Sequence, residues 1–218
     1  MEMLNNLQKL RKELFDQLCD VQKAKAAYEF IMGNDTMVQK PEIMPGNIPN
    51  GVYIVYNDGT YVPFSSDAPK DNAAFVGISY DGHTFGVSRK VGDYALLPKG
   101  APKDDFCQDE YQALFDWKFV KHTGHIMDLG SKIPLKDNEH LPTAPVFVVM
   151  ANLASQGLNK ALEHIGLDPL DLDKCYWFAQ RYNSEYAWLF NGNGGNLNSF
   201  NCTNELAVQA VVLWEPET

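Results

Sequence analysis

Two Asp-Gly pairs, Asp58-Gly59 and Asp81-Gly82, each sit between runs in which apolar and other residues alternate. The first run reads GVYIVYNDGTYVPFSS from Gly51, and the second reads AAFVGISYDGHTFGVSRK from Ala73. Period-two alternation places successive side chains on opposite faces of a strand. Asp-Gly supplies the positive φ that a tight reversal needs. Two such hairpins so close together predict an antiparallel sheet, which binds the chain to a sheet-based fold from Gly51 onward.

Upstream the period changes. With Leu7 at heptad position a, that position carries Leu7, Leu14, Val21 and Tyr28. Position d carries Met3, Leu10, Gln17, Ala24 and Ile31. Only Gln17 interrupts the apolar seam, and one polar core residue can fix register and oligomer number. The pattern predicts a coiled-coil or anchoring helix over residues 1–32, with a trimer preferred over a dimer. The alternative is an amphipathic helix folded back on its own domain. Three Pro and three Gly between Gly33 and Gly51 mark a linker over residues 33–50. The expected division is therefore a helix at 1–32, a linker at 33–50 and a globular domain at 51–218.

Beyond the hairpins, Phe106, Tyr111, Leu114, Phe115 and Phe119 recur at mostly helical intervals and predict a helix from Asp104 to His122. Thr123-Gly124 reads as its end, with loop over 123–145. A second helix follows within VFVVMANLASQGLNKALEHIG, stopping at Gly166. From Cys175 to Trp214 the chain reads as short strands and turns. The expected class is α+β.

Composition narrows the function. The chain has 218 residues, a net charge of -10 and no cluster of Lys and Arg. Binding to a phosphate backbone or to anionic lipid therefore has no electrostatic basis. The N-terminus interleaves charged and apolar residues, unlike a signal peptide, and no apolar run nears the roughly 20 residues of a membrane span. Synthesis in a cytoplasm is expected, with Cys19, Cys107, Cys175 and Cys202 reduced and acting as small hydrophobes.

Several short segments in order, Leu141-Pro142-Thr143, LNKALEHIG at 158–166, Tyr176-Trp177, YAWLF at 186–190, a glycine turn and VQAVV at 208–212, resemble the C-type-lectin-like fold. The pattern is most similar to the variable proteins of diversity-generating retroelements and related surface-binding domains of gut Bacteroidales and their phages. Phe178 and Ala179 replace two Ser usual in that family, and Gln209 replaces an Arg. The resemblance implies a lectin-like domain with two helices and short antiparallel strands, Trp177 and Trp188 in its core, and a recognition surface late in the chain.

That late stretch, YWFAQRYNSEYAWLFNGNGGNLNSFN, is rich in Tyr, Asn and Gly. Asn offers a donor and an acceptor on a short side chain, and Tyr a flat face with a polar tip. Gln180, Arg181, Tyr182, Asn183, Glu185, Asn191, Asn193, Asn196 and Asn198 are the candidate ligand contacts. The same Asn residues also suit turns, where they tolerate left-handed geometry, and both readings stand at this point.

No signature of hydrolase, nucleotide or zinc-protease chemistry is present. His122 and His125 form H-x-x-H beside Asp128, and Asp168, Asp171 and Asp173 form an acidic run. Neither carries a full ligand set, so no metal and no cofactor is expected. The resemblance, the helix and the absence of catalytic motifs imply a non-enzymatic phage virion fibre or decoration protein of head or tail. Its expected partners are two further copies of itself, other virion proteins through the N-terminal helix, and a host surface glycan or protein. A virion cement or cap protein without a host ligand is the structural alternative. A formylglycine-generating-type enzyme is the catalytic one, disfavoured by the separation of Cys175 from Cys202.

Overall fold

The computed structural model describes residues 48–103 and 106–216. The heptad residues Leu7, Leu10, Leu14, Gln17, Val21, Tyr28 and Ile31, and nearly all of the linker, lie outside the described residues. The chain divides into two units, Met1–Met44 and Pro45–Thr218, and every element below belongs to the second.

Both Asp-Gly reversals form hairpins. Strand β1 (Gly51–Tyr56) pairs with β2 (Tyr61–Pro63), and β3 (Ala73–Tyr80) pairs with β4 (His83–Ala95). Asp81 and Gly82 have φ of 49° and 80°, the paired positive values of a two-residue turn. In the other turn Gly59 has φ 84°, and Asp58 Oδ1 accepts hydrogen bonds from the Thr60 amide and hydroxyl.

The helical region departs from expectation in two places. The single helix expected over Asp104–His122 is two, α1 (Glu110–Phe115) and α2 (Phe119–Asp128). Asp109 opens α1 with a reciprocal capping box to Gln112. Asp116 then breaks the run. Its Oδ1 accepts the Lys118 amide at 3.0 Å, while Oδ2 meets Gln108 Nε2 at 2.7 Å and His122 Nε2 at 2.9 Å. Helix α2 also continues through Thr123-Gly124, where the sequence suggests an end. Gly124 faces open space, so its cost is only about 1 kcal/mol of helix propensity. The buried stripe Phe119, His122, Thr123 and Ile126 outweighs that cost. The expected loop after it contains a two-residue strand, β5 (Glu139–His140).

Helix α3 (Ala144–Leu153) follows Thr143, with Pro145 in its first turn where a missing N–H costs nothing. A widened turn at Ala154–Leu158, with Gly157 at φ 131°, joins it to α4 (Asn159–His164). The expected stop at Gly166 holds: Gly166 has φ 80°, and the Leu167 amide returns to the Leu162 carbonyl.

The remaining strands are β6 (Tyr176–Arg181), β7 (Tyr186–Asn191), β8 (Asn196–Asn201) and β9 (Glu205–Val212). One sheet runs in the order β2-β1-β3-β4-β9-β6-β7-β8, with β5 also on β9. The β6–β9 pair is parallel and the others are antiparallel. The fold is mixed α+β, mostly sheet with few helices.

Alternation sorts the core into layers. One face carries Ile54, Val76, Phe85, Val211, Tyr176, Phe178 and Phe190 against Phe147, Leu158 and Leu162 of the α3–α4 segment. The opposite face divides. Under α2 it holds Trp177, Leu189 and Val208 with Ile126 and Leu129. At its other end lies a small aromatic cluster of Tyr53, Val55 and Trp214, against which Ile48, Tyr61 and Phe75 pack. Ile48, ahead of the first strand, thus packs in the same cluster as Trp214, just after the last.

Candidate functional site

The late Tyr/Asn stretch spans β6, β7, β8 and their turns, and its residues separate into three groups. Gln180 and Arg181 are interior, at 0% and 1% exposure, and this corrects their assignment to a surface. The reason is topological: β6 lies between β9 and β7, with a core on each side. Gln180 Oε1 accepts the Ala144 amide at 2.7 Å, and its Nε2 donates to the Ala113 carbonyl at 2.8 Å. This single side chain ties β6 to the start of α3 and to α1.

The second group serves the backbone. Asn183 Oδ1 accepts the amides of Glu185 and Tyr186 and so shapes the β6–β7 turn. Asn191 Nδ2 donates to Asn196 Oδ1 at 3.2 Å across the mouth of the β7–β8 turn. Asn198 Oδ1 accepts the Ser199 amide. The third group is available to a partner. Tyr182 is 46% exposed, its ring edge-on to Trp188 with centroids 5.0 Å apart. Glu185 and Asn193 are exposed as well. Trp177 and Trp188 are both in the core.

A second surface has no counterpart among the sequence expectations. On the sheet face opposite α3 and α4 lies a groove of about 840 Å³. Its floor is Val55, Phe75, Ser88 and Val212. One wall is the hairpin Tyr56–Tyr61 and the other is Lys136, Asn138 and Glu139, with Trp214 and Glu215 at one end. Register explains the floor: Val55 is opposite Phe75, and Gly86 is opposite Val212, so these share one face. The signal is present in β1 and β3, where Tyr53, Val55 and Phe75 alternate with Val52, Ile54 and Val76. Strands apolar on both sides announce a second covered face.

The far wall is held rigidly. Arg89 Nε donates to Glu139 Oε1 at 3.0 Å, and an Arg89 terminal nitrogen donates to Oε2 at 2.9 Å. Ser88 Oγ donates to Oε1, and the Lys136 amide to Oε2. Burial opposes ionisation of Glu139, but the bonds from the Lys136 amide, Arg89 and Ser88 outweigh it. Its pKa is held below the usual range.

The H-x-x-H pair lies on α2. His122 is buried, and burial depresses its pKa against the pull of Asp116. At neutral pH it is the neutral partner of an ionised Asp116. Phe106 packs beside both rings, at 5.1 Å from His122 and 4.6 Å from His125. Asp168, Asp171 and Asp173 are exposed, and Asp171 Oδ1 accepts the Asp173 amide. Among the described residues no group of three or more His, Cys, Asp or Glu is placed to hold a metal ion. Among the described residues Cys175 and Cys202 are free thiols, and burial pushes the pKa of Cys202 up to about 11. No described helix is long and apolar enough to cross a membrane.

No family model matches the sequence, and no curated protein matches it. Among solved structures, a fimbrial protein from Bacteroides ovatus ATCC 8483 is similar in fold, with a TM-score of 0.53 and 11% sequence identity. The match covers 76% of this chain and 48% of that one, so the chain spans about half the length of the fimbrial protein it matches.

Proposed function

We propose that this chain is a non-enzymatic display protein of a virion surface, a fibre or decoration protein of head or tail. Its N-terminal heptads gather three copies, and its globular unit is presented as a lectin-like module for a host glycan or surface protein. The observation that carries the reading is the pair of surfaces left open on a well-packed sheet. One is the Tyr182–Glu185 rim and the other is the walled aromatic groove. Both are mixed apolar and polar, the character of adaptable recognition surfaces. Fold similarity to a fimbrial protein of a gut Bacteroides is in keeping with display. Three copies would turn weak single-site binding into useful avidity. Cys202, buried and resistant to ionisation, is poorly suited to be the nucleophile of a formylglycine-generating-type enzyme.

The mass of the full chain in solution tests the assembly. A trimer is expected, and Leu10→Asp with Leu14→Asp should reduce it to single copies. A full chain that is monomeric at micromolar concentration overturns the proposal.

A cement role is the second reading, and one observation favours it. Strand β8 pairs with β7 alone among the described residues and carries Phe200 at 48% exposure. An unpaired strand edge is a template for a neighbouring chain. Burial of that edge between adjacent copies in assembled particles would select cement over receptor binding.

A further inference from the structure

None of the nine residues singled out from sequence lines the groove on the β1–β3–β4–β9 face. Its size lies within the range of about 300–1,000 Å³ typical of small-ligand sites. Its chemistry narrows the ligand class.

Anions are disfavoured. Asp58, Glu139 and Glu215 line the groove against Lys136 alone, and the Glu139 charge is already taken by Arg89. A further negative charge would meet net repulsion. A peptide added as an extra strand is disfavoured as well. The floor is the face of β1, β3 and β4, each paired on both sides, so no row of open backbone groups faces the groove. A neutral ligand with apolar faces and many hydrogen-bonding groups matches the Tyr61, Phe75 and Val55 surface and the Asn138 amide beside it.

The groove is fitted to such a ligand. Tyr61 meets Trp214 edge-on at 5.4 Å and Tyr53 at 5.8 Å, so its ring is held in place by its neighbours. With Phe75 and Val55 it forms a strip of apolar surface. The turn opposite is fixed by Asp58 and Thr60, and the far wall by the Glu139 network. Rigid walls reduce the ordering cost of binding. Asn138 is exposed on the far wall, where it offers a donor and an acceptor.

We propose that this groove binds a neutral saccharide, a sugar ring lying on the Tyr61–Phe75 strip with its hydroxyls reaching Asn138 and the Asp58-Gly59 turn. This deepens the display reading and rests on it for the role such binding would play.

Saturation-transfer NMR on the full chain tests the assignment, with maltotetraose, cellotetraose, mannotriose and tri-N-acetylchitotriose as neutral probes and trigalacturonic acid as the anionic one. Transfer to the ring C–H protons of at least one neutral probe is expected. Asn138→Ala and Tyr61→Ala should each weaken that binding ten-fold or more, while Asp168→Ala, an exposed position outside both surfaces, leaves it unchanged. Asn138 is exposed, so its variant keeps the test valid if Tyr61→Ala unfolds. No transfer to any neutral probe, equal binding of trigalacturonic acid, or insensitivity to Asn138→Ala overturns the assignment. Those outcomes leave the trimer and the Tyr182 rim untouched. A monomeric chain that still binds a neutral probe through Asn138 would instead sink the display reading and keep the groove.

Discussion

The two ends of the sheet are built alike and finished differently. At the β6–β7 end, both faces are roofed, by the α3–α4 segment on one side and α2 on the other. At the β1–β3 end, one face is roofed by helices and, among the described residues, the other carries only an aromatic cluster and an open groove. Both ends alternate in the same way, and in both the inward residues are large and apolar. Alternation therefore settles which residues share a face, but not whether a second layer arrives to cover it. That depends on where the helices dock, and the described helices leave this one face uncovered.

The strongest way to break this contrast is to remove one ring from each end. Trp177 is fully buried, and its Nε1 donates to the Tyr94 carbonyl at 3.0 Å. Trp177→Ala should cost about 3–5 kcal/mol and remove most of the stability. Tyr61→Ala, at the half-open end, should cost about 1 kcal/mol. Urea unfolding followed by circular dichroism compares the two, and equal losses would show that the groove face belongs to the core as fully as the roofed one does.

An intermediate effect is expected at the wall. Glu139→Gln keeps the shape but removes the charge that Arg89 and Ser88 address. With Arg89 partly solvated, the loss should be about 1–2 kcal/mol, read as a lower melting temperature. A neutral outcome would mean that the wall does not depend on the ion pair.

Acid should produce the most gradual change and act on the roofed side first. Burial lowers the pKa of both His122 and His140. Below about 6.5 the unfolded histidines take up protons that the folded ones refuse, so stability falls as pH drops through that window. Asp116 and Glu139, also lowered, add their loss only below the ordinary carboxylate range. Unfolding midpoints measured from pH 7.5 to 2 should decline in two stages. A flat profile between 7 and 5 would remove the histidines from the account.

Much of the fold is legible in the sequence because local chemistry and global packing agree. Asp81-Gly82 turns as its residues demand, Gly166 ends its helix, and the alternation of β1 and β3 is seen in their burial. Sequence and structure part where tertiary contacts overrule local preference. Gly124 looks like a helix stop but sits on a solvent-facing side while its neighbours bury the other. Asp116 looks like one more polar helical residue but gathers three donors and ends the turn. The site is less legible. Gln180 and Arg181 look like surface residues, yet the preceding run Tyr176–Ala179, apolar on both faces, marks a central strand and places them inside. The groove draws on residues near 56–61, 136–139 and 212–215, and no local pattern joins segments so far apart.

The meeting of Ile48 and Trp214 in one aromatic cluster has a mechanical consequence. Segments on either side of the whole run of strands are buckled there into one clasp, so a pull applied at Ile48 meets Trp214 directly instead of peeling the strands away one after another.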